Sequence, residues 1–353
     1  MAKQQDEGNS QLQTSEDKVS TSKNVITMLL GTWLIIGFFI DGYAHNHGAV
    51  ESFFTPWHAI LYSGYLATAT WLLWIVYQNK RSTGLGWLKA IPEGYGLGVS
   101  GVLVFFIGGL GDMAWHIVFG IEENTAALLS PTHLLLLLGS LLILSSPFRV
   151  GWRKPEQAPT WKQFFPTLMS ATLSATIVAF FLMYAWAFFE NIPAKPNVDQ
   201  LTEKMPFLVE IEAIRGLITI LLDTILMMYP IFLILSRWKT PFGAFTFYMT
   251  FLGTAMGALY GFVSWPSILF LLAGGFVADV LVHTLKPNQT RIWTYRLIAL
   301  LVPLVVWGLY FIIVQIDVGV GWPPEFWGGA LVQSALASLA LSILAIPPAR
   351  EGS

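Results

Sequence analysis

Four of the six histidines in this 353-residue chain fall in two stretches of one design. The first reads Asp41-Gly42-Tyr43-Ala44-His45, with Thr55-Pro56-Trp57-His58 following. The second reads Asp112-Met113-Ala114-Trp115-His116, with Ser130-Pro131-Thr132-His133 following. An Asp and a His four residues apart stand one above the other on a helix face. A second His delivered by the next helix completes a set of one carboxylate and two imidazoles. Three such ligands leave coordination positions open, as a catalytic or exchangeable metal requires and a closed structural site does not. The set suits Cu(II), Zn(II) and Fe(II) alike, and it is the ligand type of non-haem iron oxygenases. The candidate metal ligands are therefore Asp41, His45, His58, Asp112, His116 and His133. His47 is a spare donor beside the first set. Glu51 in the first copy, and Glu122 or Glu123 in the second, stand where a carboxylate could orient a ligating imidazole.

The elements that must hold these ligands are membrane helices. Of the residues, 55% are hydrophobic and only 11% charged, against about a quarter charged in a soluble domain. There is no cysteine, which excludes disulfides, thiolate metal sites and thioether-linked haem. Ten segments have the length and apolar content to span: 25–44, 55–78, 94–117, 129–147, 165–189, 211–236, 242–263, 266–285, 293–315 and 325–346. Residues 1–24 are polar and read as a disordered tail, with no signal-peptide pattern. The expected organisation is thus all-α: a polytopic transmembrane bundle with a four-helix metal-binding region at 25–147, a basic loop at 148–164, a six-helix region at 165–346 and a short tail at 347–353.

Charge sets the orientation. Lys80, Arg81 and Lys89 follow the second segment, and Arg149, Arg153, Lys154 and Lys162 follow the fourth. Arg237 and Lys239 follow the sixth, Lys286 and Arg291 the eighth, and Arg350 ends the chain. The alternate loops 45–54, 118–128, 264–265 and 316–324 hold no Lys or Arg; only 190–210 carries Lys195 and Lys204. The positive-inside rule then places both termini in the cytoplasm and both Asp/His motifs at the extracytoplasmic face of the inner membrane. Thr55-Pro56 and Ser130-Pro131 are helix starts, a capping hydroxyl followed by Pro in the first turn. His58 and His133 therefore sit on regular backbone, and segments one to two and three to four are expected to be two copies of one helical hairpin.

The run from Phe38 through Asp41 and His45 to Glu51-Ser52-Phe53-Phe54-Thr55-Pro56-Trp57-His58 and Tyr62 resembles the metal-site segment of the C subunit of particulate methane and ammonia monooxygenases. In that family an Asp, a His four residues on and a second His in a Phe-Thr-Pro-x-His run bind copper in the membrane. A nearby second site there has Asn in place of Asp, which makes Asp112, His116 and His133 its counterpart. The resemblance covers roughly residues 38–140, about a quarter to a third of the chain. It implies copper as the first choice of metal, with zinc or non-haem iron as alternatives, and further membrane subunits or a second copy of the chain as partners. Ten helices are more than that subunit is expected to have, and the last six segments carry no such likeness.

Three functional classes fit these residues. The first is oxidation of a small apolar or amine substrate entering from the lipid, with Trp57, Trp115, Phe39 and Phe54 as walls. The second is metal transport or delivery, for which Asp223, midway along the sixth segment, is a candidate for a proton or ion path. A carboxyl at that depth costs roughly 2.5–3.5 kcal/mol even on the lenient insertion scale. The third is zinc-dependent hydrolysis with bound water as nucleophile. Asp279 and His283 repeat the four-residue interval, but no Pro-x-His follows, and an interfacial pair near Lys286 is expected there. Arg215 is expected to answer Glu190, Glu210 or Glu212. The tryptophans near segment ends form the usual aromatic belt. Nothing in the chain points to nucleic acid.

Overall fold

The computed structural model describes residues 19–48, 55–120, 125–155 and 157–348. Among them the ten expected segments are all helical: α1 (Thr21–Asn46), α2 (Pro56–Thr83), α3 (Gly96–Phe119), α4 (Pro131–Leu144), α5 (Trp161–Phe181), α6 (Val209–Leu235), α7 (Ala244–Leu259), α8 (Pro266–Leu285), α9 (Trp293–Asp317) and α10 (Pro324–Ala345). Nine of these helices are long and apolar enough to cross a membrane, α4 when taken with its continuation to Arg153 and α6 from Pro206; α7, at 16 residues, is shorter. Among the described residues every regular element is helical, and the chain is a multi-pass integral membrane protein.

The ends of the helices follow local chemistry. The first begins at Thr21, inside the stretch expected to be disordered, because the Ser20 side chain accepts the Lys23 N–H and caps it. Thr55 and Ser130 cap α2 and α4 through the backbone N–H groups of His58 and His133, each with Pro in the first turn. Gly84 and Gly120 end α2 and α3 at φ +71 and +84, a region open to glycine at little cost. Ser146–Arg153 continues α4 past a break at Ser145, so part of the expected 148–164 loop is helix.

The chain forms two compact units. One holds α1 to α5; the other holds 156–159 and everything from Leu182 on. Hydropathy grouped the fifth segment with the later helices, but α5 packs on α1, where Phe38 meets Phe180 and Phe181 with ring centroids 5.6 and 6.0 Å apart. Within this unit α1 lies along α2 and α3 along α4, and glycines bring each pair into backbone contact. A Cβ on Gly37 would stand 2.5 Å from Leu61 Cα, and one on Gly64 2.9 Å from Leu34 Cα. In the other pair a Cβ on Gly139 would stand 2.6 Å from the Phe105 nitrogen, and one on Gly108 3.1 Å from that of Leu136. Small residues at such crossings let membrane helices gain dispersion contact that lipid cannot supply.

In the second unit the expected helix 165–189 ends early. After Phe181 come a single 3-10 turn at Met183–Ala185, an extended Trp186 and the short helix Ala187–Glu190. Tertiary bonds replace the helical ones here: Asp223 accepts the Ala187 N–H at 2.8 Å, and the Tyr260 hydroxyl donates to the Met183 carbonyl at 2.6 Å. Phe188 then stacks on Trp307 with centroids 4.8 Å apart, in a core shared with Tyr310.

Candidate metal centres

Asp41 and His45 lie on the last turns of α1, and His58 opens α2. The His58 Nε2 stands 3.3 Å from Asp41 Oδ1, and the His45 Nε2 stands 3.7 Å from Oδ2. On α3 and α4 the corresponding distances are 3.5 Å from His116 Nε2 to Asp112 Oδ2 and 3.5 Å from His133 Nε2 to Asp112 Oδ1. In both sets the three ligand atoms lie within 4.8 Å of one another. These separations sit at or beyond the long end of an N–H···O bond. Two ligands bonded to one ion at 2.0–2.2 Å stand roughly 2.8–3.6 Å apart; three of the four separations fall in that range, and His45 at 3.7 Å lies just outside it. Both sets could therefore hold a metal ion, and all six predicted ligands are brought together as two groups of three.

The second set is the more enclosed at its carboxylate: the Asp112 side chain is 3% exposed, that of Asp41 15%. Neighbouring groups hold its ligands in place. The Thr132 hydroxyl donates to Asp112 Oδ1 at 3.3 Å. His133 Nδ1 lies 2.6 Å from Ser130 Oγ, and His116 Nδ1 lies 3.4 Å from the Gly120 carbonyl oxygen. With Nδ1–H donating outward, each ring presents its Nε2 lone pair to the centre, which is how a ligating histidine is normally steadied. Ser130 thus caps the helix and aims the imidazole. The short capping motif contains both roles, but a linear reading registers only the first.

His47 does not join the first set. Its ring stacks on Tyr43 with centroids 3.9 Å apart, and its Nδ1 lies 2.8 Å from the Tyr43 carbonyl oxygen. Glu51, Glu122, Glu123 and Phe54 lie outside the described residues. Of the expected apolar walls, Phe39 is buried against Phe180, and Trp115 packs on Phe119.

The third Asp/His pair serves the fold. Asp279 is fully buried, and its carboxylate accepts the N–H groups of Phe245 and Thr246 at 3.2 and 2.8 Å and the Thr246 hydroxyl at 2.7 Å. It caps α7 from α8, a service that Gly243, in the cap position without a side chain, cannot perform. His283 turns its Nδ1 to the Asp279 carbonyl, 2.9 Å away, and its ring to Phe242. Arg215 pairs with Glu190 at 2.6 Å and Glu212 at 2.7 Å.

The fold and these groups define an integral membrane helical protein carrying two Asp/His/His sets able to hold metal. Comparison with protein-family models, with curated proteins and with solved structures finds no match to the chain.

Proposed function

We propose that the chain is a copper-binding inner-membrane protein whose two metal centres descend from one duplicated helical hairpin and face the extracytoplasmic side. Its reaction is oxidation of a small apolar or amine substrate arriving from the lipid, in the manner of the monooxygenases that the first hairpin resembles. The observation that carries metal binding is the convergence of three ligand atoms within 4.8 Å in each of two sets.

Duplication is supported by a register that extends beyond the ligands. Counted from each Asp, a glycine lies four residues earlier (Gly37, Gly108) and the residue facing the opposing glycine seven earlier (Leu34, Phe105). Counted from each Pro-x-His histidine, the leucine facing that glycine lies three residues later (Leu61, Leu136) and the second glycine six later (Gly64, Gly139). The outward orientation rests on the alternation of Lys and Arg between loops. Copper rests on imidazole and carboxylate donors with open positions together with the resemblance of the first hairpin.

Metal analysis of the purified full chain tests the reading. The wild-type protein is expected to retain copper with a tetragonal Cu(II) signal in electron paramagnetic resonance, and the His45→Ala/His116→Ala double variant to lose both. Unchanged copper in the double variant removes these residues as ligands. Zinc as the sole retained metal moves the chemistry to hydrolysis.

A further inference from the structure

One side of α6 is apolar and exposed along its length: Ile211, Ile218, Leu222 and Ile225 follow one another at seven, four and three residues, a helical stripe that faces lipid in a membrane-spanning chain. Arg215 interrupts it, four residues after Ile211 and three before Ile218, with its side chain 45% exposed. A cation on a lipid-facing stripe near a helix end belongs at the level of the headgroups. This one is held in place. Its Nε donates to Glu212 Oε2 at 2.7 Å and its Nη1 to Glu190 Oε2 at 2.6 Å. Among the described residues Nη2 has no acceptor and neither carboxylate's Oε1 has a donor. These three residues line a cavity of about 350 Å³ in the second unit, together with Lys204, Leu201 and Met205. Its other wall is the helix Lys195–Lys204, which buries no residue of its own. Backbone bonds hold that helix at its start, Lys195 N–H to the Gly319 carbonyl and Gly321 N–H to that of Pro193, each 2.8 Å. The 3-10 turn Pro206–Leu208 joins its other end to α6, so side-chain packing does not close the space between them.

We propose that this cavity seats the headgroup of a phospholipid bearing both a phosphate and a primary ammonium, as phosphatidylethanolamine does, with its acyl chains along the α6 stripe. Arg215 Nη2 and the Lys204 ammonium, which has no acidic partner among the described residues, supply donors for the phosphate. The Oε1 atoms of Glu190 and Glu212 accept from the lipid ammonium. The cavity carries two positive and two negative side chains, so a guest with one charge of each sign is matched at both ends. A purely anionic headgroup would face the two carboxylates unanswered. A trimethylammonium has no N–H to give them. The exposed stripe below Arg215, with Phe207 73% exposed where the chain enters α6, favours a lipid over a soluble zwitterion. Metal binding elsewhere in the chain plays no part in this assignment.

Native mass spectrometry of the full chain tests this, after equilibration in detergent with equal amounts of phosphatidylethanolamine, phosphatidylcholine and phosphatidylglycerol. The wild-type chain is expected to retain phosphatidylethanolamine over the other two by roughly tenfold, the low end of what a hydrogen bond to a charged group is worth. Lys204→Gln alters an exposed side chain with no ion pair to lose and should lower retention of phosphatidylethanolamine and phosphatidylcholine alike, since both carry the phosphate. Glu212→Gln should instead narrow the preference between those two, because only one of them has N–H groups to donate. Lys195→Gln, on the same helix but outside the cavity, should change neither. Equal retention of the three lipids by the wild-type chain, or a preference for phosphatidylglycerol, overturns the proposal. So does a preference that survives both Lys204→Gln and Glu212→Gln, which places the lipid elsewhere. Displacement of the bound lipid by equimolar soluble phosphoethanolamine would show that the headgroup alone is recognised and overturn the lipid assignment.

Discussion

The Thr132 hydroxyl reaches Asp112 at 3.3 Å, and the matching position in the first set is Trp57, which has no hydroxyl to give. Removing it in Thr132→Val should weaken metal binding at the second set roughly tenfold and leave the first unchanged, as read by copper titration of single-set variants. Asp223 supplies a different kind of test, because its carboxylate holds a backbone N–H in the broken stretch after α5. Asp223→Ala leaves that amide buried without its acceptor and should cost about 1–3 kcal/mol in a reversible unfolding measurement. Asp223→Asn keeps an oxygen acceptor and should recover most of it; equal losses for Ala and Asn would show that the negative charge, not the hydrogen bond, matters there. The grouping of the candidate ligands was legible at this scale because each set is built from a four-residue interval and a Pro-x-His start, both local. The use of Asp223 and Asp279 was not, since their partners lie 36 and 33–34 residues away and, apart from the Thr246 hydroxyl, are backbone amides, which leave no mark in residue type.

Between helices, the ligand sets depend on how closely α1 meets α2 and α3 meets α4. The glycines responsible, Gly37 with Gly64 and Gly108 with Gly139, lie within two turns of the ligand residues: Gly37 and Gly108 open a Gly-x-x-x-Asp-x-x-x-His pattern, and Gly64 and Gly139 follow His58 and His133 by six. A period that extends the metal motif inward is therefore readable, provided it is taken as a packing signal and not only as a ligand spacing. Gly139→Leu should force α4 away from Phe105, destabilise the chain by about 1–3 kcal/mol and empty the second set while the first still binds. Metal content per chain would then fall by half; full retention would show that α3 and α4 can separate without moving the ligands. At α7, Asp279→Ala removes a cap supplied from α8 and should cost about 0.5–2 kcal/mol, with faster amide exchange at Phe245 and Thr246 as the local readout. The early end of α5 is the element that hydropathy could not give. No Pro or Gly interrupts 182–190, and it is Asp223 and Tyr260 that take over the backbone groups.

Over the whole chain, composition and hydropathy were enough to place the ten helices, nine of them long and apolar enough to cross a membrane, because the bilayer imposes a minimum length and apolarity on a crossing. The proposed orientation rests on Lys and Arg counts alone, and the lack of cysteine makes it directly testable. Single cysteines introduced in place of Asn46 or Gly120 should react with a membrane-impermeant maleimide on intact cells, and cysteines in place of Ser82 or Lys239 should not. The opposite labelling pattern would invert the topology and carry both metal sets to the cytoplasmic face. The ordering of ligands along the chain has one more consequence. His58 lies 17 residues after Asp41, and His133 lies 21 after Asp112. The ribosome has therefore made every ligand of the first set before the third helix exists, and every ligand of the second before the fifth. Each centre is a neighbour to itself in time as well as in space, so its assembly belongs to the insertion of one hairpin and need not wait for the finished protein.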